Sequence, residues 1–221
     1  MGGVNRDKKI LNSYTISSVC LIVFKHYINT ILARSFFRLL IHLLNMQHAA
    51  IPIIGFAAFS GTGKTTLLTQ LIPLLSQEGL KIGLIKHSHH SFEIDQPGKD
   101  SFRLRQAGAV SVLLASRNRR AIITEIDSEL EPRLDDQLKV LDQSNLDLIL
   151  VEGFKAEHFP KIELHRPALN KPLLYPNDPN VIAVASDTPL TLPDNMTGLD
   201  LNQPAEIADF ILNWHKETSH D

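Results

Sequence analysis

Residues 58–65 read AFSGTGKT, a glycine loop of the kind that wraps the phosphates of a nucleoside triphosphate. Each residue type has a task in that chemistry. Gly61 and Gly63 let the backbone curl, so that the amides of Ser60, Thr62, Lys64, Thr65 and Thr66 converge with theirs on phosphate oxygens at the positive end of a helix. Lys64 bridges the β- and γ-phosphates and neutralises the charge that grows as the terminal bond loosens, and Thr65 offers its hydroxyl to Mg2+. Ala58 stands where the strict pattern has its first glycine, a departure that the relaxed form accepts. The loop therefore implies a purine nucleoside triphosphate with magnesium.

Such a loop needs a carboxylate across the sheet to hold the metal's water shell. The segment LDLILVEG supplies Glu152 after four apolar residues, at the C-terminal end of a strand, where open α/β sheets place their ligands. Asp147 lies at the opposite end of that strand, and Gly153 lets the chain come close to the γ-phosphate. A third constellation runs from Lys86 through His87, Ser88, His89 and His90 to Asp95 and then Gly98, Lys99, Asp100 and Ser101. It also follows a strand and faces the same edge. Asp95 is the candidate for orienting the attacking water or holding the metal. The three histidines suit either transition-metal ligation or ordinary hydrogen bonding. Arg103 and Arg105 reach phosphate or remain solvated.

Base choice is read from what is missing as well as what is present. No NKxD guanine reader occurs, since Asn170 and Lys171 continue into Pro172 and Leu173. Asp187, ending VIAVASD, can accept both guanine N1–H and N2–H, a donor pair that adenine lacks; the competing role is a turn cap before Thr188 and Pro189.

The elements that must position these residues follow from periodicity. Residues 51–57 and 146–151 are short apolar runs of the buried parallel type, and 82–85, 110–115, 121–126, 161–164 and 181–185 read as further strands. Helices are expected from 64 to about 78, bent at Pro73, then over 100–107, 128–144 and 205–216. Residues 118–120 make a turn. Strands alternating with helices give an α/β phosphate-loop NTPase fold, a mostly parallel sheet covered by helices on both faces.

Composition narrows the class. Of 221 residues 43% are hydrophobic and 21% charged, the range of a folded globular chain. Residues 1–45 hold six basic side chains against Asp7 alone, so within a net charge of −2 the remainder is acidic and has no basic surplus to attract nucleic acid. The chain therefore divides into a non-family segment, 1–45, and a nucleotide-binding domain, 46–221. Two apolar stretches in the first segment, 16–24 and 36–44, are each too short to cross a bilayer, and no signal-peptide pattern is present. That segment is expected to lie outside the functional protein, with Met46 a plausible start, rather than to touch membrane as a basic amphipathic helix. Cys20 is the only cysteine, which excludes an internal disulfide and fits a cytoplasmic setting.

Taken together and in order, AFSGTGKTTLL, GLIKHSHH, DQPGKDSFRLRQAGA, LDLILVEGFK and VIAVASD resemble the molybdopterin-guanine dinucleotide biosynthesis protein B family over residues 51–215. The resemblance implies a dimeric GTP-binding adapter with weak GTPase activity, requiring GTP and Mg2+. It also implies work beside the molybdopterin guanylyltransferase and other molybdenum-cofactor proteins. On this chain the nucleotide role falls on residues 61–66 and the metal role on Thr65 and Glu152. Two other classes fit the phosphate loop: a metal-delivery GTPase, and a small-molecule kinase or ATP-dependent ligase.

Overall fold

The computed structural model describes residues 46–88, 92–128 and 130–219. The chain divides into two units, Met1–Asn45 and Met46–Asp221, and every described residue belongs to the second. The basic apolar segment, His89 and His90 lie outside the described residues.

In chain order the elements are β1 (Ile53–Ala57), α1 (Lys64–Gln77), β2 (Ile82–Lys86), α2 (Asp100–Gln106), β3 (Ser111–Ala115) and β4 (Arg120–Thr124). They continue with α3 (Leu134–Val140), β5 (Leu148–Glu152), β6 (Lys161–His165), β7 (Val181–Ser186), β8 (Thr197–Asp200) and α4 (Pro204–Thr218). Six strands form one sheet in the order β2-β5-β1-β6-β7-β8, with every neighbouring pair parallel. All six C-terminal ends therefore share one edge.

Both faces of the sheet are covered, as expected of a phosphate-loop NTPase fold. Because side chains alternate along a strand, Ile54, Phe56, Leu148 and Leu150 point to the face that packs against Leu67, Leu71 and Leu75 of α1 and Ile207 and Ile211 of α4. Ile53, Ile149 and Val151 point the other way, onto Leu134 and Leu138 of α3 with Phe154 and Phe159. These side chains are almost wholly removed from water. Each contributes on the order of 1.5–3 kcal/mol by burial. Pro73 sits inside α1, which continues past it to Gln77.

One expectation needs correction, and two features of the sheets go beyond the sequence reading. The helix over 128–144 contracts to Leu134–Val140, because Pro132 has no amide to donate and biases the residue before it away from helix, and Leu141 ends the helix in an extended conformation (φ −72°, ψ 122°). The strands near 110–115 and 121–126 do not enter the main sheet. They pair with each other as an antiparallel hairpin, joining Leu113 to Ile122 across the ladder. The sheet also has an edge strand, β8, that composition does not announce. Among the described residues no helix is long and apolar enough to cross a membrane.

Candidate functional site

The phosphate loop connects β1 to α1 at the C-terminal edge of the sheet. Gly61 (φ 80°) and Gly63 (φ 102°) both occupy the left-handed region, where a side chain is strained. A Cβ at Gly61 would meet only open space, so the loop is held open by backbone shape rather than by packing. The first hydrogen bond of α1 runs from the Leu67 amide to the Gly63 carbonyl at 2.9 Å. The amides of Lys64, Thr65 and Thr66 precede it and face the loop mouth as unspent helix donors. Thr62 is buried and ties the loop to itself through its hydroxyl, which donates to the Phe59 carbonyl at 2.9 Å.

Lys64 is half-buried and its ammonium donates to the carbonyls of Ala58 and Phe59, each at 3.2 Å. Desolvation pulls its pKa below the ordinary lysine value; Glu152 opposes the shift, and Lys155 and Lys86 add to it. An anionic ligand would reverse that pull. Lys155 and Lys171 add positive charge at the mouth by lying over the Phe59 ring, 5.5 and 5.9 Å from its centroid.

The predicted metal pair is assembled. The Thr65 hydroxyl donates to Glu152 Oε1 at 3.1 Å, and Glu152 is buried at the end of β5. An all-oxygen set of hydroxyl and carboxylate beside a phosphate site is the chemistry magnesium prefers. The residues therefore fit Mg2+ carried in with a triphosphate. Lys86 joins the same cluster: its ammonium reaches Glu152 Oε2 at 2.9 Å and Thr65 Oγ1 at 3.3 Å. The contact exists because β2 and β5 are neighbours whose register puts Lys86 directly opposite Glu152.

Gly153 and Phe154 follow, with φ of 102° and 50°. A bulky residue in the left-handed region is costly and persists only where its surroundings fix it. Phe154 is fixed by burial and by stacking on the His87 ring, with centroids 4.7 Å apart. His87 is also tied to β5, its amide donating to the Glu152 carbonyl at 2.8 Å, and its ring approaches Glu131 at 3.1 Å. A Cβ on Gly153 would lie 2.6 Å from His87 Cβ. The glycine is thus required by packing against His87, a reason distinct from approach to a γ-phosphate.

Asp95 stands in a different cluster. Ser101 Oγ donates to its Oδ1 at 2.8 Å, the Gln96 amide donates at 3.1 Å, and Arg105 lies 3.7 Å away. Arg105 is buried among Glu93, Glu125 and Asp95, while Arg103 is exposed beside Asp100. Among the described residues these partners of Asp95 include none from the phosphate loop. The same holds for a metal centre: among the described residues no group of three metal-ligating side chains occurs.

Asp187 lies just past β7 and accepts from Arg166 through Oδ2 at 2.7 Å; its Oδ1 is buried and has no hydrogen-bond partner. It borders a cleft of about 280 Å³ between the ends of β7 and β8, lined also by Ser186, Pro189, Leu190, Leu199 and Asp200. Arg166 donates through Nε to the Thr62 carbonyl at 2.8 Å, so one guanidinium connects the cleft to the phosphate loop. Neither this bridge nor the Lys86 contact was read from the sequence. Their partners are distant along the chain, and the available signal was only that each follows a strand ending at the same edge.

A family model described as molybdopterin guanine dinucleotide synthesis protein B matches residues 53–187. The chain is 50% identical over 165 residues to the molybdopterin-guanine dinucleotide biosynthesis adapter protein of Escherichia coli K12, covering 74% of this chain and 93% of that protein. It is 47% identical over 165 residues to the adapter protein of the same description from Haemophilus influenzae, covering 74% and 89%. A crystal structure of molybdopterin-guanine biosynthesis protein B superposes with a TM-score of 0.57 at 26% identity, covering 73% of this chain and 99% of that one.

Proposed function

The chain belongs to the molybdopterin guanine dinucleotide synthesis protein B family, and from that membership we propose that it is an adapter in molybdopterin guanine dinucleotide biosynthesis that binds GTP with magnesium and hydrolyses it slowly. One observation carries the nucleotide reading: the Lys64 loop and the Thr65–Glu152 pair are joined by Arg166 to a cleft that holds an unpartnered carboxylate oxygen. Phosphates at the loop and a base in the cleft account for both ends. The buried Asp187 Oδ1 accepts a guanine N–H, and Pro189, Leu190 and Leu199 give the base an apolar wall. A magnesium ion held by Thr65 and Glu152 would neutralise charge on the phosphates. Lys64 and the loop amides stabilise the loosening γ-phosphate. The expected role of Asp95 in orienting the attacking water draws no support from its partners Gln96, Ser101 and Arg105. Turnover is slow because among the described residues no strong base adjoins the loop, which suits an adapter whose bound nucleotide governs docking to the molybdopterin guanylyltransferase.

Calorimetry with a nucleotide panel tests the base assignment. GTP should bind about 5- to 150-fold more tightly than ATP, since the buried acceptor left empty by adenine costs about 1–3 kcal/mol. Asp187→Asn should reverse the preference toward xanthosine triphosphate, because the amide donor complements the carbonyl that replaces guanine N2–H2. Equal GTP and ATP affinity, or an ATP preference with a phosphorylated acceptor, would instead favour the kinase class. Co-purification of the guanylyltransferase from the native host tests the adapter role.

The β3–β4 hairpin supports a homodimer. Leu113 and Ile122 face each other across its ladder at 58% and 53% exposure, on a side that α2 leaves uncovered. Two strands alone are marginally stable in water, so an uncovered apolar side calls for a second copy. Leu113→Arg should halve the mass measured by light scattering while leaving the helical circular dichroism unchanged; a wild-type monomer at micromolar concentration would dispose of the dimer.

A further inference from the structure

We propose that Lys86 is a resident cation of the magnesium site that becomes the γ-phosphate sensor when a triphosphate binds. The inference rests on the triphosphate reading of the loop and adds a residue and a switch to it. Lys86 reaches both groups assigned to the metal, Glu152 Oε2 at 2.9 Å and Thr65 Oγ1 at 3.3 Å. Its position is set by backbone pairing, Lys86 opposite Glu152, so the ammonium is delivered there by the sheet.

Charge explains why this arrangement needs a second state. Glu152 is buried, and a buried carboxylate without a cation is costly. Lys86 supplies that cation while the site holds no metal. When Lys86 gives up Glu152 and Thr65 to magnesium, the cluster gains a divalent cation, and an ammonium beside it becomes repulsive. Lys86 then needs an anion within reach of its flexible four-carbon stem. A γ-phosphate brought in with the metal would offer such an anion. A diphosphate brings no such partner.

The Lys64 ammonium is placed differently: it donates to the Ala58 and Phe59 carbonyls inside the loop rather than to Glu152 or Thr65. Lys86 differs in being half-exposed and in ending β2, immediately before the segment that opens at His87. The His87 amide is fixed to the Glu152 carbonyl. Movement of the Lys86 side chain therefore occurs at the junction where β5 and the histidine segment meet, and the presence of the γ-phosphate is registered there.

Lys86→Met keeps the apolar stem and removes the charge. Isothermal calorimetry on the full chain with Mg2+ should show GTP affinity falling about 10- to 100-fold, the range of a lost charge-assisted contact, with GDP affinity changed less than about twofold. Titration of the nucleotide-free protein with Mn2+, followed by electron paramagnetic resonance, should show tighter binding in Lys86→Met than in wild type, because the competing ammonium is gone. A parallel loss of GTP and GDP affinity, no loss of either, or unchanged Mn2+ affinity would overturn the proposal. Failure of the wild type to bind either nucleotide would overturn the triphosphate reading itself, and this inference with it.

Discussion

Lys64→Ala is expected to abolish measurable triphosphate binding while leaving the fold intact. Among the described residues the ammonium makes two hydrogen bonds, both to carbonyls of its own loop. Those carbonyls can turn to water, so the unfolding midpoint should shift little. With a triphosphate bound, the same ammonium meets two phosphates in a half-buried site, where each charge-assisted contact is worth roughly twice a neutral one. Losing them should weaken GTP by at least about 3 kcal/mol, or more than about a hundredfold. The lowered pKa of Lys64, due chiefly to burial, points the same way: the loop holds a charge that it solvates poorly until an anion arrives. Calorimetry and thermal unfolding measured on the same preparation separate the two effects. Unchanged GTP affinity would remove the phosphate-loop assignment.

How much of this site is legible in the sequence depends on how local each piece is. The loop and Glu152 are legible because their signals are contiguous: glycines at fixed offsets from a lysine, and a carboxylate that caps an apolar run. The parallel sheet follows from the alternation of such runs with helical periodicity. Lys86 and Arg166 are not legible in the same way. Each acquires its role from strand order, which brings β2 beside β5 and lets one guanidinium span from Thr62 to Asp187. Leucine spacing over-extends α3 because it carries no information about what Pro132 forbids. Strand β8, reading TGLD, has two poor strand formers among its four residues and exists only through its ladder with β7.

The same distinction separates the two clusters at this edge of the molecule. Thr65, Lys86 and Glu152 share atoms within hydrogen-bond reach, whereas Asp95 is anchored by Ser101 and Arg105 at the start of a separate helix-and-hairpin layer. That layer carries the exposed apolar pair Leu113 and Ile122. In the sequence, Lys86 and His87 precede that layer, so a short stretch of chain joins the proposed nucleotide site to it.

Gly153→Ala is the substitution expected to damage both fold and site at once. Its cost has two parts. A non-glycine residue at φ 102° carries strain of about 1–3 kcal/mol. The new Cβ would also stand 2.6 Å from His87 Cβ, a contact with an atom held directly to the backbone, and relieving such overpacking costs about 1–3 kcal/mol more. Together they predict roughly 3–4 kcal/mol of destabilisation, a fall of about 10 °C in the unfolding midpoint for a domain of this size. Because the displaced His87 amide is bonded to the Glu152 carbonyl, the carboxylate should shift from Thr65 and Lys86, and GTP affinity should fall as well. A double-mutant cycle separates the parts: in a His87→Gly background the collision is gone, and Gly153→Ala should cost only its backbone strain, about half as much. Equal costs in both backgrounds would show that backbone conformation alone demands the glycine and that the His87 packing is incidental.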